Sequence, residues 1–358
     1  MFGDTFRDAK VLITGHTGFK GSWLTAWLLK LGAKVVGVSS GRPTDPALFD
    51  ILDIEEKISS YREDIRNNKQ IKDRVTREKP DFVFHLAAQP IVSLAHADPL
   101  GTLSANVMGT ANVLDALRYV EHPCTAVIIT SDKCYNNVEW SWGYRETDHL
   151  GGKDIYGGSK AAAEIVFHSY FNSFFKDSPC VRVATARAGN VLGGGDWAEG
   201  RIVPDCVRAW AKGEDAVIRN PNAVRPWQHV LEPLSGYLTL AQALSNSNGN
   251  SLNGESFNFG PPTEQCHAVW ELVQDIGLTW PGSKARFSEA IETPFHESNL
   301  LQLNCDKARR LLGWKPTFTY PQMVEAVGNW YYAYHNGADM KAVTLVQTDR
   351  YEILWRGK

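Results

Sequence analysis

The stretch "VLITGHTGFKG", residues 11 to 21, decides the fold. A short β-branched apolar run breaks into three glycines spaced three apart, Gly15, Gly18 and Gly21, and passes directly into "GSWLTAWLLKLG", whose apolar residues recur at helical spacing. A strand that turns on glycines into a helix is the opening of a dinucleotide-binding βαβ unit. The first glycine serves a tight turn, the second lets the backbone approach a pyrophosphate, the third packs helix against strand, and the anion sits at the helix N-terminus. Spaced glycines alone are weak evidence; their position between the first strand and the first helix strengthens it. Two residues are unusual for such a loop, His16 and Lys20, where small or apolar side chains are common.

Outward from this loop, "KVLIT" (10–14), "KVVGVS" (34–39), "DFVFHLAA" (81–88), "TAVIITS" (125–131) and "VRVATARA" (181–188) are nearly continuous apolar runs, as strands buried on both faces of a parallel sheet require. Helical patterns such as "TLSANVMGTANVLDALRYV" lie between them. The βαβα order predicts an α/β, Rossmann-like doubly wound parallel sheet. From about residue 190 the pattern loosens into Gly-, Pro- and Trp-rich stretches, "GGGDWAEGR" and "RNPNAVRPWQHV", followed by the helical run "EPLSGYLTLAQAL". The expected division is a dinucleotide-binding domain over 1–188, which also receives segments around 228–260, and a smaller, interleaved mixed α/β substrate domain, mainly 189–358.

The 358 residues suffice for two domains sharing a core, and 43% hydrophobic content is ordinary for a globular enzyme. With 37 basic against 40 acidic residues, net −3, there is no electrostatic footprint for nucleic acid or an anionic membrane. The N-terminus "MFGDTFRDAK" has no secretory apolar core, and no window approaches the ~18 apolar residues of a membrane span. The expected compartment is the cytoplasm. Six cysteines without ligand or framework spacing read as reduced thiols, and no metal site is expected.

In NAD sites an acidic residue about 20 positions beyond the glycines binds the adenosine ribose. Here the second strand runs instead into "SSGRPT", with Ser39, Ser40, Gly41 and Arg42. A missing carboxylate beside an arginine is what a 2′-phosphate favours, so NAD and NADP both stay open. Asp64, in "REDIRN", is a candidate for the adenine edge or a solvated turn acid.

A second constellation is "YGGSK", 156–160, in which Tyr156 and Lys160 share one helix face. A phenol near its ordinary pKa of ~10 is a poor base, and a neighbouring ammonium stabilises its phenolate. Upstream, "TSDKCY" presents Ser131, Asp132 and Lys133 at a strand's carboxyl end, where open α/β sheets bind ligands. A hydroxyl, a carboxyl and an amine side by side can hold a substrate, donate a proton and accept one. Arg219 and Arg225 in "RNPNAVRPWQHV" suit a diphosphate by their fork geometry.

Together the glycine loop, Ser131, Tyr156, Lys160 and the "HLAA" strand end resemble the extended short-chain dehydrogenase/reductase family over essentially the whole chain. "TGHTGFKGSWL", "HLAAQP", "NVMGT", "TSDKCY", "RAGNVLGGGDWAEGRIVPD", "RNPNAVRPWQHVLEPLSGY" and "LGWKP" are similar to its nucleotide-sugar dehydratases, in particular those acting on CDP-glucose. The resemblance implies loss of water from CDP-glucose to give CDP-4-keto-6-deoxyglucose in deoxysugar biosynthesis, with NAD taking and returning a hydride, in a homo-oligomer. It implies that Tyr156, activated by Lys160, deprotonates the 4-hydroxyl while Ser131 bonds that oxygen, that Lys133 removes the proton at carbon 5, and that Asp132 protonates the leaving 6-hydroxyl. It further implies cofactor contacts from His16, Phe19, Lys20 and Ala87, and substrate contacts from Gln89, Asn190, Arg201 and His296. The missing acidic residue near Gly41, and "YGGSK" where relatives often carry "YSNSK", depart from the pattern. A 4-epimerase would use Tyr156 and Lys160 without Asp132 and Lys133, and a non-catalytic nicotinamide-sensing protein would need neither pair.

Overall fold

The computed structural model describes residues 1–246, 249–262, 265–287 and 300–357. Seven strands form its main sheet: β1 (Lys10–Thr14), β2 (Lys34–Ser39), β3 (Ser59–Arg62), β4 (Phe82–His85), β5 (Cys124–Ile129), β6 (Val181–Ala188) and β7 (Ser256–Phe259). All pairings are parallel, in the order β3-β2-β1-β4-β5-β6-β7. Two of these strands, β3 and β7, go beyond the five read from sequence, and β4 ends three residues before the apolar run does. The order reverses between β1 and β4, which opens a crevice at their carboxyl ends.

Because side chains alternate along a strand, each strand feeds both faces. Val11, Ile13, Phe84, Val127 and Ala186 enter one core with α1 (Phe19–Lys30), whereas Leu12, Val83, Ala126 and Val183 enter the other with α2 (Asn68–Glu78), α3 (Gly109–Leu117) and α4 (Ile155–Tyr170). After β6 the chain forms the short parallel pair Val191–Leu192 with Gln228–His229, then returns to the first face as α5 (Leu231–Ser245) and to the sheet edge as β7. The last helices, α6 (Tyr320–His335) and α7 (Met340–Arg356), cover that face. They are anchored by polar contacts. Trp27 Nε1 donates to Glu352 Oε1 at 2.8 Å, and buried Glu232 accepts from the backbone of Thr317 and Phe318 and from the Tyr351 hydroxyl at 2.9, 2.6 and 2.7 Å. No helix among the described residues is long and apolar enough to cross a membrane.

The switch point is tied by side chains as well as by the ladder. Thr14 Oγ1 meets His85 Nδ1 at 2.7 Å and accepts from the Ala87 amide at 3.2 Å, while His85 Nε2 meets Thr110 Oγ1 at 3.1 Å. Burial pushes His85 down to about 3, so it stays neutral and serves as a spacer. Above it the glycines set the distances. Gly15 has φ +77°, and a Cβ there would lie 2.8 Å from Ala87 Cα; a Cβ on Gly21 would lie 2.1 Å from the Gly15 carbonyl oxygen. Gly21→Ala therefore forces α1 off β1, and the expected cost of about 1–3 kcal/mol will be read as a lower urea midpoint at unchanged slope.

Candidate active site

The N-terminus of α1 points into the crevice. Its N-cap, Gly18, is extended, no side chain caps it, and its first turn carries no acidic residue, so its free N–H groups and dipole are left for an anion. Gly15, Gly18 and Gly21 line this cradle, which fits the pyrophosphate of a dinucleotide. The Phe19 side chain leans on Gly193, where a Cβ would lie 2.9 Å from its ring tip. The structure departs from the sequence reading at His16. That ring is 1% exposed, wedged between Gly37 and Phe49, and bonded through Nε2 to Ser60 Oγ at 2.9 Å. Burial lowers it to about 4, so it is a neutral core residue whose side chain supports the loop from beneath.

At the adenosine end, Ser39 Oγ lies 2.7 Å from Thr17 Oγ1, and both hydroxyls donate to the Gly41 carbonyl. Arg42 is already countered by two carboxylates: Nε to Asp50 Oδ1 at 2.9 Å and Nη2 to Glu55 Oε2 at 2.7 Å, with its guanidinium over Phe49. Asp64 forks onto Arg66, which holds its carboxyl below the usual range.

The catalytic turn follows β5. Ser131 caps the short turn Asp132–Cys134, accepting from the Lys133 amide at 3.2 Å and donating to Asp132 Oδ1 at 2.9 Å. Opposite stands the first turn of α4, capped by Asp154, which accepts from the Gly157 amide at 2.8 Å. The "YGGSK" spelling has a packing reason here: a Cβ on Gly157 would lie 2.9 Å from both Gly152 Cα and the Lys133 carbonyl oxygen. That approach brings Tyr156 and Lys160 up to the catalytic turn. Burial dominates the electrostatics. It raises Asp132 above the usual carboxylate range, opposed chiefly by Lys133, raises Tyr156 to about 12, opposed by its hydrogen bond with Ser131, and lowers Lys160 to about 8. Lys133 is half-buried beside them.

Lys20 is the second residue of α1. Its ammonium is influenced by Arg201, Asp132, Lys160 and Asp196, and burial lowers it to about 8. Arg201 is paired with Asp196 at 3.1 Å. Gln89 is committed to its own turn: Nε2 donates to Ile91 O and Thr102 Oγ1, each at 3.0 Å, and Oε1 accepts from the Ile91 amide at 2.6 Å. Asn190 stands half-buried past β6 with its carbonyl accepting from Gln228, Arg225 is half-buried on Val224–Pro226, and Arg219 is exposed near Gly200. His296 lies outside the described residues. Trp227 and His229 are buried packing residues.

Three site-organising residues escaped the sequence reading. Asn106, in a π-helical turn at Ser104–Met108, bonds the Gln89 backbone at both its amide and carbonyl, and donates to Ser159 Oγ at 2.9 Å. Its signal was the "NVMGT" stretch. Glu164 and Arg187 pair beneath Lys160, 2.9 Å apart.

A Rossmann sheet with a glycine-cradled helix terminus and a serine, tyrosine and lysine at its carboxyl edge defines a short-chain dehydrogenase/reductase of the extended type. The profile of the GDP-mannose 4,6 dehydratase family matches residues 12–327, and the chain belongs to that family. It is 43% identical over 339 residues, 94% of each chain, to the CDP-glucose 4,6-dehydratase of Salmonella typhimurium, and 23% identical over 346 residues to the UDP-glucose 4-epimerase of Halalkalibacterium halodurans, covering 91% and 97% of the two chains. Among solved structures, the dTDP-glucose 4,6-dehydratase of Bacillus anthracis shares the fold at TM-score 0.74 and 18% identity, covering 94% of this chain and 99% of that one.

The ammonium of Lys20 favours the ionised form of Asp132. Lys20→Met removes that stabilisation, so the Asp132 carboxyl is expected to titrate at higher pH, measured by infrared difference titration against Asp132→Asn. An unchanged titration would place the ammonium away from the carboxyl.

Proposed function

We propose that this chain is an NAD-dependent lyase that converts CDP-glucose to CDP-4-keto-6-deoxyglucose, with residues 1–188 and the returning segments holding the cofactor and the remainder mainly holding the nucleotide sugar. The observation that carries the reading is the catalytic turn itself: a carboxyl driven by burial toward its proton-bearing form stands between Ser131 and an amine, a set that elimination needs and epimerisation does not. The similarity to the Salmonella enzyme supports the substrate.

Gly15, Gly18 and Gly21 with the α1 N-terminus would hold the cofactor's pyrophosphate, and Ser39 and Asp64 its adenosine end. Bound there, the nicotinamide supplies a hydride acceptor and donor. Tyr156 takes the proton of the sugar's 4-hydroxyl. Its phenol, raised by burial, needs the Lys160 ammonium and the Ser131 hydrogen bond to do so at neutral pH. The resulting 4-ketone acidifies carbon 5, whose proton Lys133 removes, and Asp132 hands its proton to the departing 6-oxygen. Arg201, Arg219, Arg225 and Asn190 would bind the diphosphate of the nucleotide sugar. NAD is favoured over NADP because Arg42 already satisfies Asp50 and Glu55.

We further propose a homo-oligomer in the cytoplasm. Supporting it, Leu100, Met108, Ile165 and Phe174 expose apolar side chains from segments packed side by side around α4, and the six cysteines carry no disulfide. Sedimentation at micromolar concentration tests the assembly; a monomer would refute it.

The decisive experiment supplies CDP-glucose deuterated at carbon 4, with NAD and separately with NADP. A product lighter by one water, with deuterium at carbon 6 and faster turnover with NAD, is expected. Substrate returned unchanged with both cofactors would sink the substrate assignment, and a preference for NADP would mean that the Arg42 ion pairs open. Tyr156→Phe is expected to lower kcat by about 10²–10⁴-fold with the fold intact by circular dichroism.

A further inference from the structure

The catalytic turn and Lys160 share one buried support. Glu164, one turn beyond Lys160 on α4 and 0% exposed, grips Arg187 of β6, 1% exposed, with Nε to Oε1 at 3.0 Å and Nη2 to Oε2 at 2.9 Å. The same carboxylate accepts from Thr130 Oγ1 at 2.5 Å, Thr185 Oγ1 at 3.0 Å and Ser256 Oγ at 3.3 Å. Arg187 Nη1 donates to the Tyr135 hydroxyl at 2.7 Å and to the Glu146 carbonyl at 3.1 Å. Thr130 and Tyr135 bracket Ser131, Asp132 and Lys133. One ion pair therefore holds both ends of the segment that carries the acid and the amine.

An ion pair this far from water returns little stability over an apolar pair of similar volume, so stability alone is a weak reason for it. The groups facing Lys160 supply another. They are Glu164 on its own helix, Cys134 on the catalytic turn, His85 on β4 and Lys20 on α1. Burial keeps the Cys134 thiol and the His85 ring neutral, and Lys20 repels. The anion among these four is Glu164, which five donors keep ionised.

We propose that Glu164, clamped by Arg187, is a positioning residue for the reaction: it is the counter-charge that keeps Lys160 an ammonium beside Tyr156, and through Thr130 it fixes Ser131 and Asp132 in register with them. The inference rests on the reading of Tyr156 and Lys160 as the proton-abstracting pair. It does not depend on which nucleotide sugar is bound.

Two measurements test it. In protein carrying ¹³C at the lysine ε-carbons, with the Lys160 resonance assigned through Lys160→Arg, Glu164→Gln is expected to move the Lys160 titration down by about one pH unit, and Glu164→Asp, which keeps the charge, to leave it in place. The high-pH fall of kcat should move down with it. An unmoved Lys160 titration in folded Glu164→Gln would overturn the charge role. Thr130→Val keeps every charge and nearly the same volume. It is expected to lower kcat about tenfold with KM and the Lys160 titration unchanged, and full kcat in this variant would overturn the positioning role. The titration needs no turnover, so failure of the CDP-glucose assay and failure of this inference are separately visible.

Discussion

Everything at the site depends on how closely α1 lies against β1. With a hydrogen in place of a side chain at Gly21, the helix settles its first turn onto the Gly15 carbonyl, and with Gly15 at positive φ the chain leaves β1 without touching Ala87 at the end of β4. Both glycines act at the switch point, where the sheet order reverses and the crevice opens. The consequence is electrostatic as much as steric. An uncapped helix terminus would be costly if buried without a partner, so the cradle is complete only with an anion in it. His16 is part of the same constraint. Its neutral ring fills the space over Gly37, where any Cβ would lie 2.4 Å from ring atoms, and props the loop at the height that α1 requires.

The chamber beside this cradle carries more charge than a dry interior tolerates. Lys20 senses Arg201, Asp132, Lys160 and Asp196, and burial is the largest influence on Lys20, Lys160 and Asp132. Taking ionisable groups from water drives each toward neutrality, which gives an acid that holds its proton to higher pH and amines that give theirs up more readily. Such tuning requires that the groups be unable to swing out to solvent. The Ser131 cap, the Asp154 cap of α4 and the Gly157 approach to Gly152 supply that restraint, each by a local contact that a different residue would break.

What the chain reveals before folding follows from the range of each interaction. Strands β1, β2 and β6 are legible to their ends because they are mostly buried and their runs are rich in apolar residues. The edge strand β3, "SSYR", is mostly exposed and polar, and β7, "SFNF", lies 68 residues beyond β6 and alternates Ser and Asn with Phe, so neither carries the apolar signal of a buried strand. Ser131, Asp132, Lys133, Tyr156 and Lys160 stand out because each set is contiguous or one helical turn apart. The direction of Lys20 was not legible. One position on a helix decides whether a side chain follows the loop or enters the chamber, and that is set by how the far half of the chain folds over it. The hold that its own turn takes on the Gln89 amide was likewise not legible.

The Glu164 and Arg187 pair shows why such a support stays hidden in a sequence. The two residues lie 23 apart, on a helix and a strand that meet only on folding. Together they occupy a volume that apolar side chains could fill, directly below the one lysine that a neutral environment would disarm. Their bonds run to Thr130, Tyr135, Thr185 and Ser256, that is, to the carboxyl-end segments of β5, to β6 and to β7 at once. A network of that reach converts the position of three strands into the position of one ammonium, the group on which the proposed proton transfer at Tyr156 depends.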